Sequence, residues 1–258
     1  MIFSTFFDGH KINIATQFRD TKDTDLILLL HGLGCSKKSF CEIWTQSYLN
    51  EYAILAIDFV GFGESSKPRS FSYSLEDQAQ IIGDLINKIS FKSLHIVAHS
   101  MGGAIGLLLP ENNLNKVNSF LNIEGNLTGY DCGVISRKII SSTYKLFEKK
   151  YFHELKLLFN KFETDCTSID NTEPYAMYYS AKSLVKWSDS NILLDKFHSM
   201  SCRKAYFVGE NNINMRTVNH IKKNIAIIPI EKSGHFIMND NPKKFYSKMY
   251  QFITNKIV

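Results

Sequence analysis

Short, uninterrupted apolar runs recur along this chain at intervals that leave room for a helix, and that rhythm limits the folds open to it. Residues 25–30 (DLILLL) are apolar after the first position, as in a strand buried on both faces. Residues 53–57, 93–98 and 119–123 repeat the pattern. Between them lie helical signals. Ser36 can cap a helix through about Leu49, Ser74 and Asp77 form a capping-box-like pair opening a helix to Ile89, and the helix from Met101 ends at Pro110. Strands alternating with helices at this spacing predict βαβ units and a parallel sheet. Ahead of them, FFDGHKINIATQF predicts a hairpin turning at Asp8-Gly9.

The alternation stops at Asn126. Up to about Met200 no strong strand signal occurs, while residues 137–159 and 175–187 carry helical periodicity and many aromatics. It resumes with strands at 204–208 and 225–229 and a closing helix from Pro242 to about Thr254. The expected organisation is one α/β domain, residues 1–125 and 201–258, interrupted by a helical insert at 126–200.

Composition narrows the class further. A hydrophobic fraction of 44%, with 19 Phe and 12 Tyr among 258 residues, predicts a packed globule. No apolar run approaches the roughly 20 residues that cross a bilayer, and the opening MIFSTFF lacks the basic flank of a signal peptide, so the expectation is a soluble, cytoplasmic protein. Cys35, Cys41, Cys132, Cys166 and Cys202 show no metal-like spacing and are expected to be free thiols, with no metal or other cofactor. The net charge of +5 gathers late: residues 201–258 hold 10 Lys and Arg against 3 Asp and Glu. These cations stand singly or in pairs without a nucleic-acid-binding motif, which describes a solvated face.

Chemistry concentrates in LHIVAHSMGGAIGLLL. Strand, then Ala98-His99-Ser100-Met101-Gly102, then helix is the setting of a nucleophile elbow, where a tight turn lifts a serine hydroxyl above the sheet edge. The usual first glycine is Ala98. A serine opening a helix is also an ordinary cap, so the other residues must decide. His31-Gly32-Leu33-Gly34 follows the first buried strand and can aim the Leu33 N–H at the same point as that of Met101, making an oxyanion hole. DFVGFGES, from Asp58, is assigned a structural turn. Serine needs a general base, and His235, in Ser233-Gly234-His235 after the last strand, stands where a loop histidine can reach over the edge.

HGLG, DFVGFGES, AHSMGG and SGH, in that order, resemble the α/β-hydrolase superfamily of serine hydrolases. The resemblance implies a mainly parallel eight-stranded sheet flanked by helices, a helical cap inserted after strand six, and a triad in the order Ser, acid, His. Many members carry the acid after strand seven, where this chain has Gly209-Glu210-Asn211-Asn212, an asparagine in the aspartate's place. Asn212 can orient the imidazole without supplying charge. Two carboxylates are available instead, Glu210 and Glu124. Glu124 follows strand six, 24 residues after Ser100, which is similar to the haloalkane-dehalogenase-like branch. Dehalogenation itself is not implied, because that chemistry needs a carboxylate at the elbow.

Ser100, His235 and Glu124, with the Leu33 and Met101 N–H groups, are therefore the expected site of acyl transfer on a small-molecule carboxylic ester, thioester or lactone. Tyr144, Phe147, Tyr151, Phe152, Phe159, Tyr178, Tyr179 and Trp187 either line the acyl pocket or pack the insert against itself. Two alternatives stay open: a slow-turnover ligand sensor that keeps the triad, and a C–C bond hydrolase or perhydrolase-like enzyme with the same residues.

Overall fold

The computed structural model describes residues 1–133, 135–160, 169 and 171–256. Asp8 and Gly9 both take positive φ, 47° and 75°, the geometry of the tight turn that their pairing predicts, and join β1 (Ile2–Phe7) to β2 (His10–Arg19) as an antiparallel hairpin. β3 (Leu26–Leu30) and β4 (Ala53–Ile57) follow, and then α1 (Leu75–Ile86), which starts at a Ser74 hydroxyl accepting the Asp77 N–H at 3.1 Å. β5 (Leu94–His99) runs into α2 (Met101–Leu107), the short α3 (Glu111–Leu114) and β6 (Val117–Ile123).

Helices fill the interval before the next strand: α4 (Ser136–Ile140), α5 (Tyr144–Leu146), α6 (Phe152–Asn160), α7 (Pro174–Asp189) and α8 (Ile192–Ser199). β7 (Arg203–Gly209), α9 (Arg216–Ile221), β8 (Ala226–Ile230), α10 (Ile237–Asp240) and α11 (Pro242–Ile253) complete the described chain. No helix among the described residues is long and apolar enough to cross a membrane.

The eight strands lie in the order β1-β2-β4-β3-β5-β6-β7-β8, antiparallel across β1, β2 and β4 and parallel from β4 to β8. β3 explains why. Leu26, Leu28 and Leu30 enter one apolar layer while Ile27 and Leu29 enter the layer on the opposite face, and all five are buried. Each such side chain is worth about 1.5–3 kcal/mol relative to exposure, so a strand of this kind is stable only between two helical layers.

Three expectations are corrected. The helix expected from Ser36 is two 3₁₀ segments, Lys37–Thr45 and Ser47–Leu49, although Ser36 does cap it, accepting the Lys38 N–H at 3.3 Å. The helix expected over 137–159 breaks after Ile140, where Ser141-Ser142-Thr143 offers local hydrogen-bonding side chains and Thr143 caps a new turn. Past that turn a π-helical stretch, Phe147–Tyr151, precedes α6. Among the described cysteines, Cys35, Cys132 and Cys202 are free, whereas Cys41 is disulfide-bonded, against the expectation of free thiols throughout. Cys166 lies outside the described residues.

Candidate active site

Parallel strands end together, and their C-terminal edge is where an open α/β sheet assembles a site. β3, β5, β6, β7 and β8 each deliver one piece here.

β5 delivers Ser100. Its backbone sits at φ 52°, ψ −121°, a conformation that costs a non-glycine residue roughly 1–3 kcal/mol. Hydrogen bonds hold it there: the Ser100 N–H donates to the Ile123 carbonyl at 3.0 Å, and its own carbonyl accepts from Gly103 at 2.9 Å. Close packing demands the glycine that follows, since a Cβ on Gly102 would lie 2.4 Å from the Leu30 carbonyl oxygen. Ala98, in the place of the usual first glycine, is fully buried.

β3 delivers the HGLG loop against this turn. A Cβ on Gly32 would stand 2.9 Å from His99 Nδ1 and 3.2 Å from Ser100 Cβ, so the loop passes directly beside the serine. Neither the Leu33 nor the Met101 N–H has an acceptor among the described residues. Met177 and Ile169 cover the loop from the insert, meeting the Cβ position of Gly34 at 3.1 and 3.4 Å. Sequence periodicity points to α7 as a helix but carries no sign that Met177 faces this loop.

β6 delivers Glu124, itself at a positive φ of 41°, with its side chain 1% exposed. Its Oε2 lies 2.8 Å from His235 Nδ1, and its Oε1 accepts the Gly209 N–H at 2.8 Å. Asn212 donates its amide N–H to the same carboxylate, at 3.1 Å to Oε1 and 3.0 Å to Oε2. Asn212 thus addresses Glu124 and not the imidazole. Glu210 turns away and accepts the Lys232 N–H at 2.9 Å.

His235 comes from the loop after β8, which is tied down on several sides. Ser233 Oγ donates to the Ile230 carbonyl at 2.7 Å, the Gly234 N–H donates to Asp240 at 2.8 Å, and His99 Nε2 meets the His235 carbonyl at 3.0 Å. A nitrogen facing a carbonyl must carry the proton, so His99 is the Nε2–H tautomer. Burial, and then the nearby His235, push the His99 pKa well below the usual imidazole value, which keeps it an uncharged platform. The His235 ring lies against it, centroids 4.6 Å apart, with 42% of its side chain exposed. Among the described residues no hydrogen bond joins Ser100 to His235. The structure therefore brings Glu124 and His235 into contact and sets them beside the residue that precedes Ser100.

DFVGFGES builds a node of a different kind. Asp58, fully buried, accepts the Lys37 N–H at 2.6 Å, the Glu64 N–H at 2.8 Å and the Lys37 ammonium at 2.7 Å. The expected pocket aromatics mostly meet each other: Tyr144 stacks on Tyr179, and Phe147 packs on Phe152 and Tyr178, all at ring separations of 5.6–5.7 Å.

The chain is similar to known proteins in fold and, over part of its length, in sequence. One solved structure similar to the chain is a carboxylesterase from the thaumarchaeon Nitrososphaera gargenis, with a TM-score of 0.79 at 15% identity over 98% of this chain and 100% of that one. Among curated proteins, "Probable lysophospholipase BODYGUARD 4" of Arabidopsis thaliana is 33% identical over 111 residues, 42% of this chain and 27% of that protein. "Lipase 1" of Psychrobacter immobilis is 40% identical over 82 residues, 31% of this chain and 25% of its own. The chain matches about a quarter of the length of these curated relatives. Residues 25–165 match the family described as alpha/beta hydrolase fold. With more than half its length in that match and its strands in the order found above, the chain belongs to the α/β-hydrolase fold family.

Proposed function

We propose that this protein is a serine hydrolase that cleaves a carboxylic ester of a small to medium acyl substrate through an acyl-enzyme. One observation carries the reading: a buried carboxylate on Glu124 holds the His235 imidazole at 2.8 Å, and that imidazole lies against His99, the residue before a serine held in a strained turn. The curated relatives named as a lipase and a lysophospholipase, and the carboxylesterase of similar fold, support ester substrates.

In this mechanism His235 Nε2 takes the Ser100 proton as Oγ bonds to the acyl carbon, and the carbonyl electron pair moves onto oxygen. The Leu33 and Met101 N–H groups, which have no acceptor among the described residues, receive that oxyanion; one such donor is worth about 10²–10³ in rate. Glu124 fixes the imidazole tautomer and balances its positive charge. Collapse expels the alcohol, which leaves with the His235 proton. Water, deprotonated by the same histidine, then attacks the acyl carbon; the bond to Ser100 Oγ breaks, Oγ takes the proton back from His235, and the acid leaves. Substrate binding must close the gap between His235 and Ser100, and catalytic hydrogen bonds of this kind commonly tighten only in the complex. Residues 1–125 and 201–258 act as the core and 126–200 as a cap over the site, from which Met177 reaches the oxyanion loop.

The test is hydrolysis of p-nitrophenyl esters of graded acyl length by the wild type and Ser100→Ala. A chain-length optimum that vanishes in the variant supports the reading. Equal inertness of both proteins sinks it and favours the ligand-sensor alternative.

A further inference from the structure

The loop that carries His235 is tied on its upstream side by the bonds of Ser233 and Gly234, and on its downstream side by a side chain from another strand. His99, the last residue of β5, donates its Nε2–H to the His235 carbonyl at 3.0 Å. No other donor reaches that carbonyl among the described residues. The His99 ring also packs on both side chains that flank the carbonyl, with centroids 4.6 Å from the His235 ring and 5.2 Å from that of Phe236. Its second nitrogen is left over. His99 Nδ1 is buried without a hydrogen-bond partner, crowded against the HGLG loop, where a Cβ on Gly32 would stand 2.9 Å away.

We propose that His99 is a positioning residue for the base: its Nε2–H fixes the peptide plane between His235 and Phe236, and through that plane the place of the His235 imidazole. The unused nitrogen carries the argument. A buried Nδ1 with no partner has lost its hydration and gained no bond, so an apolar ring would pack here without that penalty. What an imidazole supplies and an apolar ring does not is the one N–H aimed at the His235 carbonyl. Without it the carbonyl loses its donor, the peptide after His235 is free to rotate, and the imidazole moves with the backbone that bears it. The Ser233 and Gly234 bonds act before His235 and do not restrain that rotation. Burial, and then the neighbouring His235 and His31 rings, hold His99 uncharged, so this tie places no like charge beside the imidazolium that forms during the reaction. The inference rests on the ester-hydrolase reading only for its kinetic consequence.

The experiment separates the hydrogen bond from the ring. His99→Gln removes the ring and keeps an N–H at the reach of Nε2, whereas His99→Phe keeps a ring and removes the donor. Two readouts are taken on each folded protein: kcat and KM on a p-nitrophenyl ester, and the rate at which diethyl pyrocarbonate modifies His235, followed by peptide mass mapping. The His235 side chain is 42% exposed and reacts without turnover. His99→Phe is expected to lower kcat by about 10²-fold with KM unchanged, the scale of a small misplacement of a reacting group, and to speed the modification of His235 as its ring leaves its place. His99→Gln is expected to stay within about threefold of the wild-type kcat, because the donor and not the ring sets the position, and to match the wild-type modification rate. Wild-type kcat in a folded His99→Phe, whatever its stability, overturns the inference. So does a His99→Gln as impaired as His99→Phe, which assigns the effect to the ring. Where wild type and variants are all inert on esters, the modification rates decide: faster reaction in His99→Phe alone upholds the positioning role and removes the ester reading, and any other pattern overturns the inference. Should His99→Phe fail to fold, His99→Asn takes its place under the same outcomes, since its amide is one methylene too short for the His235 carbonyl.

Discussion

Two carboxylates are buried at the same edge of this sheet, and they are built for opposite ends. Asp58, after β4, is saturated: two backbone N–H groups and the Lys37 ammonium occupy it, and Gly63 at φ 52° wraps the chain around it. Glu124, after β6, is also fully donated to, yet one of its donors is an imidazole whose side chain is 42% exposed. Burial and hydrogen bonding are alike, so neither identifies a functional acid. What differs is whether the carboxylate faces a group that can move a proton to somewhere else. Removing each charge should therefore strike a different property.

The largest effect is expected at Glu124. Glu124→Gln should lower kcat by about 10⁴-fold, the scale of losing a triad acid's charge, while leaving the thermal midpoint within a few degrees. Steady-state kinetics beside a thermal melt separates the two, and a variant that loses stability but keeps its rate would erase the distinction drawn here. Asp58→Ala reverses the pattern. It strands Lys37, whose side chain is 10% exposed, and should cost about 3 kcal/mol in urea unfolding while the rate per folded molecule is kept. Glu64 also pairs with that ammonium at 2.7 Å, which holds the loss to the lower end of the range for a broken buried pair.

Much of this was legible in the residues, for definite reasons. β3 to β6 are legible because a strand covered on both faces must be apolar throughout, and few other elements look like that. That Glu124 and His235 stand at the same sheet edge is legible through their positions after β6 and β8, and the structure puts the two in contact. The break of the 137–159 helix was not, because the apolar spacing continues across Ser141-Ser142-Thr143 and only the local hydrogen bonds of those side chains end the turn. Nor was the role of Asn212. Its identity marks a departure, but whether its amide serves the imidazole or the carboxylate depends on how the loops after β6 and β7 face each other, and pairing of those strands fixes that only in three dimensions. Met177 was missed for the same reason, since it meets the HGLG loop from a helix distant in sequence.

His31 ties the HGLG loop to the turn that holds Asp58 and gives a prediction of intermediate size. Its Nδ1 bonds to the Gly32 carbonyl at 2.7 Å, and its Nε2 accepts the Phe59 N–H at 3.1 Å, joining the loop after β3 to the turn after β4. An Nε2 that accepts must be unprotonated, and burial lowers the His31 pKa to about 4, opposed in part by the charge of Asp58. The sign follows from proton binding. Between the ordinary imidazole value and about 4 the unfolded chain is protonated at this residue and the folded one is not, so stability falls as pH drops through that window. A shift of this size corresponds to on the order of 3 kcal/mol by pH 4. Urea midpoints at about pH 7 and about pH 4.5 should separate less in His31→Gln than in the wild type, and equal separations would mean that His31 is not the group responsible.

The smallest effect is expected at Glu210, and it sharpens the comparison most. Glu210 is a third carboxylate at this edge, two residues from Asn212, and its Oε2 accepts the Lys232 N–H at 2.9 Å on the exposed surface. It has neither the saturation of Asp58 nor the imidazole of Glu124, so Glu210→Gln should change kcat less than about twofold and stability within about 0.5 kcal/mol, as for an ordinary surface substitution. Kinetics and urea unfolding of this variant beside Glu124→Gln make the contrast quantitative. Were Glu210→Gln the more damaging of the two, the contact between Glu124 and His235 would be a resting arrangement that catalysis abandons, and the loop after β7 would carry the acid after all.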